Sequence, residues 1–139
     1  MELVGAVDDA RLAALYHAAH ILAIPSYHEG FCKPVIEGLR AGCIPVGYAA
    51  HNIPHIARGL GRMVPTGNRQ ALANALTEVI QSIAQAPVGA ANRQLPLYIG
   101  VRSPSDFDQE AQAYVAGFAF ERVADQMVRS ARRVLRMAT

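Results

Sequence analysis

The chain alternates short, wholly apolar runs with longer segments in which apolar residues recur every three or four positions. Ile21–Ile24 and Ile44–Tyr48 show no polar alternation, the pattern of strands covered on both faces. Met63–Pro65 follows a glycine-rich turn and reads as a short third strand, and Leu3–Gly5 as the end of another. The segments between them read as helices. Asp8 and Asp9 supply a cap and a first-turn acid for a helix running to about His20, with Leu12, Leu15, Ala18 and Ala19 on one stripe. Pro34 fits the first position of a helix reaching Ala41, where its missing N–H is harmless, and Gly42 fits a left-handed C-terminal cap. Gln70 to about Ala84 carries Leu72, Leu76, Val79, Ile80 and Ile83 at helical spacing. Strands alternating with helices predict an α/β fold, a parallel sheet flanked by helices with right-handed crossovers.

The alternation breaks at residues 86–106, where three prolines, two glycines and an apolar patch from Leu95 to Val101 predict an irregular surface loop. Two closing helices are expected within 107–139, about Phe107–Ala116 and Phe120–Met137. The last carries Arg122, Arg129, Arg132, Arg133 and Arg136 beside an apolar stripe of Val123, Met127, Ala131 and Val134. That pattern suits a solvated basic face, or peripheral contact with an anionic membrane surface.

Composition narrows the class. At 139 residues, 52% hydrophobic and 17% charged, the chain suits one domain or part of one with a packed core. A net charge of +2 gives no reason to invoke nucleic acid. No apolar run approaches membrane-spanning length and no signal-peptide order opens the chain, so a cytoplasmic setting is expected. Cys32 and Cys43 bracket the helix from Pro34, about 16 Å apart at the helical rise, beyond disulfide reach. His17 with His20, and His51 with His55, lack the cysteines or carboxylates that would complete a tetrahedral set, so no metal is expected. No G-x-G-x-x-G follows a strand, which disfavours a dehydrogenase.

The richest segment is Pro25–Glu37. Glu29 and Glu37 stand with seven residues between them, separated by Gly30, Phe31 and Pro34, directly after the apolar run Ile21–Ile24. The order strand, loop, helix places Glu29 on the loop at the strand's C-terminal end and Glu37 in the first turn of the next helix. In open α/β sheets that crevice is where ligands bind. Taken alone, Glu37 could be a dipole-stabilising acid and Glu29 an exposed loop acid. Lys33 could meet a phosphate or pair with Glu37 at i,i+4. Cys32, near the same helix N-terminus, reads as a reactive thiol or as a small residue whose backbone does the binding.

At these residues the chain resembles the family-4-like GT-B retaining glycosyltransferases, which use nucleotide-sugar donors. Leu15-Tyr16-His17-Ala18-Ala19 is similar to the helix before their donor strand, and Pro25-Ser26 with Glu29-Gly30-Phe31, Pro34 and Glu37 to their E-x7-E motif. Ala41-Gly42 with Pro45-Val46, Ile53-Pro54-His55 and Phe118-Ala119-Phe120-Glu121-Arg122-Val123 resemble later marks in the same order. The resemblance implies the second half of a Rossmann-like GT-B donor domain: residues 1–139 as a partial nucleotide-sugar-binding domain. It implies hexosyl transfer from a nucleoside-diphosphate sugar with retention, and no separate cofactor. Glu29 would hold the hexose as the catalytic-site acid and Glu37 the ribose. Gly30 would allow close approach, and the N–H groups of Phe31, Cys32 and Lys33 would face the sugar or diphosphate. The acceptor would be a glycan or a lipid-linked sugar.

Cys32 stands where such enzymes have glycine and Gly38 where they have alanine. Their acceptor domain and the diphosphate-binding Arg and Lys precede the part matched here, so the chain by itself is expected to be inactive. A non-catalytic nucleotide-sugar-binding remnant stays open beside the transferase, as does a related GT-B sugar-nucleotide epimerase or phosphorylase.

Overall fold

The computed structural model describes residues 2–84 and 104–137. In chain order these are α1 (Asp9–Ala18), β1 (Ile21–Ile24), α2 (Lys33–Arg40), β2 (Ile44–Tyr48), α3 (Ile53–Ala57), β3 (Arg62–Val64), α4 (Arg69–Ala84), α5 (Pro104–Val115), a 3₁₀ turn (Ala116–Phe118) and α6 (Phe120–Met137). The three strands form one parallel sheet in the order β1-β2-β3, with Ile21 opposite Ile44 and Val46 opposite Arg62. Every residue of the central strand β2 is buried, which explains its lack of polar alternation. Around it close Ile24, Val35, Leu39, Ile53, Leu60, Val79 and Phe107.

Local chemistry sets the helix ends. Asp8 caps α1, its Oδ1 accepting from the Arg11 N–H at 2.7 Å. The end of α2 is a Schellman motif: the Gly42 N–H reaches the Leu39 carbonyl, the Cys43 N–H reaches that of Gly38, and Gly42 takes φ +81°. Gly38 lies close against β1: a Cβ there would lie 2.8 Å from Leu22 Cδ2, so an alanine would require the end of that side chain to turn.

Four expectations are corrected. Leu3–Gly5 is not a strand, since a ladder needs a partner and none pairs with it among the described residues. The α2 helix begins at Lys33, so Pro34 is its second residue and Glu37 its fifth, one residue further in and just past the first turn expected for it. The third strand is Arg62–Val64, one residue earlier. Helix α5 opens at Pro104, three residues ahead of Phe107, with proline at its first position. The remainder of the loop expected over 86–106, with its apolar patch, lies outside the described residues.

Candidate functional site

The loop between β1 and α2 and the first two turns of α2 carry the residues singled out by sequence. Cys32, the residue before α2, is left-handed, at φ 53° and ψ 61°, and is followed by helical Lys33. A left-handed residue followed by a right-handed one turns consecutive N–H groups to one side, the concavity that receives anions. Among the described residues, the N–H groups of Phe31, Cys32 and Lys33 donate to no protein acceptor. Gly30 is exposed, its φ is not positive, and a Cβ there would meet nothing within 4 Å. Nothing in the described packing demands glycine at that position.

The Phe31 ring packs toward the 3₁₀ turn. It meets Phe118 edge-on at 5.7 Å, Phe118 meets Tyr114 at 5.1 Å, and the Arg58 guanidinium lies 5.3 Å above the Tyr114 ring. This aromatic row ties the loop to the 3₁₀ turn after α5, and Gln112 ties α5 to the end of α2 by donating to the Arg40 carbonyl at 3.0 Å.

Glu37 points into a cleft of about 630 Å³ between α1 and α2, shared with Tyr16, His17, Lys33, Arg40 and Gln112. The Tyr16 hydroxyl donates to Glu37 Oε2 at 3.1 Å. Burial, then the bond to Glu37 and its negative charge, push the Tyr16 hydroxyl up to about 12. Lys33 lines the same cleft but makes no ion pair with Glu37 among the described residues, so the i,i+4 pairing is not realised. A second cleft of about 320 Å³ adjoins the first, and Glu37, Arg40 and Gln112 line both.

Glu29 is half-buried in the loop and is not among the residues lining the 630 Å³ cleft. Its charge bears on Cys32, whose thiol is pushed up first by burial and then by Glu29. Both oppose the thiolate that a helix N-terminus would favour, and they outweigh the hydrogen bond from the Val35 N–H, which favours it. Both cysteines are free and buried, and the Cys43 thiol donates to the Tyr16 carbonyl at 3.2 Å.

Two contacts have no signature in the sequence. One is Tyr16 with Glu37, across 21 positions. The other is His28 with His51, ring nitrogens 2.9 Å apart. His51 meets His28 rather than the nearby His55. Among the described residues no group of three or more histidine, cysteine, aspartate or glutamate side chains is placed to hold a metal ion. Nor is any helix there long and apolar enough to cross a membrane.

A parallel sheet with helices on its flanks is the arrangement of a Rossmann-like GT-B glycosyltransferase domain. Residues 1–91 match the family Glycosyl transferases group 1, and the chain belongs to that family. It is also 29% identical over 127 residues to a D-inositol 3-phosphate glycosyltransferase from Mycobacteroides abscessus. The match covers 90% of this chain and 24% of that relative's length.

Proposed function

We propose that this chain forms the ribose- and diphosphate-facing part of a nucleotide-sugar donor site, in an enzyme that transfers a hexosyl group with retention of configuration. The observation that carries the reading is the set of unused N–H groups of Phe31, Cys32 and Lys33 at the left-handed turn into α2, beside a carboxylate held in a cleft. Such N–H groups, reinforced by the dipole of α2, suit a diphosphate. Glu37 would accept hydrogen bonds from the ribose hydroxyls, since an ionised carboxylate has spare lone pairs on both oxygens. Lys33 would add positive charge on the same side. Glu29 would hold hexose hydroxyls, and the open space over Gly30 lets the sugar approach the backbone. As the leaving diphosphate gains charge in the transition state, the same N–H groups would stabilise it.

The chain spans 24% of the relative's length, so transfer itself, the acceptor and retention are proposed for a longer enzyme containing this domain. Residues 1–139 alone are expected to bind the donor without turning it over. Titration calorimetry with UDP, GDP and ADP, and with their glucose conjugates, tests the reading. Binding of one nucleoside diphosphate, lost when the diphosphate is replaced by the nucleoside, is expected. Equal binding of nucleoside and nucleoside diphosphate would overturn the assignment of the N–H groups.

A further inference from the structure

We propose that Tyr16 is a positioning residue for Glu37 and, through it, sets the preference of the cleft for a ribose diol; this rests on the donor-site reading above. The hydroxyl reaches Glu37 Oε2 at 3.1 Å from a different helix, and both side chains line the 630 Å³ cleft. Glutamate has three free side-chain torsions, and in an open cleft its carboxylate would sample many orientations. One hydrogen bond from a fixed donor selects among them. Oε2 is engaged by the phenol, and Oε1 with the remaining lone pairs is left for a ligand.

The donor is fixed in turn. The Tyr16 carbonyl accepts from the buried Cys43 thiol at the start of β2, which seats this turn of α1 against the sheet. That anchor matters because α1 has no buried residue of its own. The phenol also stays protonated far above neutral pH, so it remains a donor to Glu37. A glutamate presented in one orientation recognises a pair of adjacent hydroxyls better than a mobile one, because less ordering remains to be done on binding.

A purely structural tie between α1 and α2 would produce the same hydrogen bond, so the test reads ligand discrimination rather than stability. Calorimetry compares UDP and GDP with their 2′,3′-dideoxy counterparts on the full chain, as wild type, Tyr16→Phe, Tyr16→Gln and Glu37→Gln. Tyr16→Phe keeps the ring and removes the donor. It should weaken the ribonucleotide about three- to tenfold, the worth of one net hydrogen bond, and the dideoxy form less than about twofold. Tyr16→Gln restores a donor and should recover part of the discrimination, which keeps the test decisive if the phenylalanine variant folds poorly. Equal loss for both ligands, or no loss, would make Tyr16 a structural tie and overturn the inference while Glu37→Gln still abolishes discrimination. If Glu37→Gln leaves discrimination intact, the donor-site reading falls instead. A wild-type chain that binds neither ribonucleotide overturns both.

Discussion

His28 Nδ1 lies 2.9 Å from His51 Nε2, with ring centroids 4.1 Å apart and the planes inclined at 66°. The distance places one proton between the two rings, so one imidazole donates and the other accepts. The bond joins the loop after β1, next to Glu29, to the loop after β2. His51 makes it from a left-handed backbone, φ 46°, which a residue with a Cβ adopts at a cost.

Bond and strain can be separated. His51→Ala loses the hydrogen bond and keeps the strain. His51→Gly loses the same bond and relieves the strain. The glycine variant should therefore be more stable than the alanine variant by about 1 kcal/mol, measured by denaturant unfolding. Equal stabilities would mean that the left-handed conformation at position 51 carries no penalty.

Two glycines next to the sheet should respond differently to alanine. At Gly38 the added Cβ meets Leu22 Cδ2 at 2.8 Å, the end of a side chain that can turn. At Gly47 it runs into the Ile24 backbone carbonyl oxygen, which cannot move without breaking the register of β1 on β2. Alanine gains about 1 kcal/mol of helix propensity at position 38, offsetting much of its clash. Gly38→Ala should change stability by no more than about 1 kcal/mol and Gly47→Ala should cost about 3 kcal/mol. Comparable losses at the two sites would show that Leu22 has no room to move.

Tyr16 gives a pH signature. Its hydroxyl ionises at about 12 in the folded chain against 10.0 for an unperturbed tyrosine. The folded value is the higher one, so the stability tied to Tyr16 is complete below the unfolded value. It is lost as pH rises from 10.0 towards 12. Burial raises Tyr48 and Tyr114 as well, so ultraviolet titration should show several tyrosines ionising late, and Tyr16→Phe should remove one tyrosine's share of the late step. The stability of the Tyr16→Phe variant should fall less between these pH values than that of the wild type. An unchanged late amplitude in Tyr16→Phe would mean that Tyr16 is not among the late-ionising tyrosines.

The sheet was legible because its signals are local. Ile21–Ile24 and Ile44–Tyr48 are apolar without alternation, and both are the strands observed. Asp8 and Gly42 mark helix ends through their own side chain and backbone, and both act there. Leu3–Gly5 misled because apolar content alone does not make a strand; the partner decides. Pro34 misled by one residue because proline is accepted at the first or second helical position, and left-handed Cys32 moved the start of α2 forward. The segment around Glu29 and Glu37 stood out because chemistry and turn residues fall together in sequence. The tie from Tyr16 to Glu37 and the pair of His28 with His51 are tertiary contacts, and no spacing rule marks them.

Helix α6 offers a separate test. Phe120 is 82% exposed and Met127 68% exposed, and Arg122, Arg129, Arg132 and Arg133 are exposed as well. Arg129 lies 4.0 Å from Asp125 on the same helix, and both are open to solvent. If this surface meets an anionic membrane, each arginine near the surface contributes about 1 kcal/mol and salt weakens the attraction. Co-sedimentation with phosphatidylglycerol vesicles should exceed that with phosphatidylcholine vesicles, and Met127→Glu should reduce it. Equal partition to both would leave the arginines as a solvated face.

The two acids should separate by ligand. Glu37 is placed to contact the nucleotide itself, so Glu37→Ala should weaken the nucleoside diphosphate and its sugar conjugate alike. Loss of a charge-assisted hydrogen bond costs about 1.5–3 kcal/mol, roughly 10- to 150-fold in affinity. Glu29 lies outside the cleft that holds Glu37 and is read as a hexose contact, so Glu29→Ala should spare the nucleoside diphosphate and weaken only the conjugate. In a longer enzyme the same logic extends to rate. A ribose contact is present in ground and transition states alike, so its loss should raise KM. A hexose contact must hold the anomeric carbon in place as the bond breaks, so its loss should lower kcat. Calorimetry with paired ligands on residues 1–139, followed by steady-state kinetics on the longer enzyme, checks both halves. If Glu29→Ala weakens the free nucleoside diphosphate while Glu37→Ala spares it, the two roles are reversed.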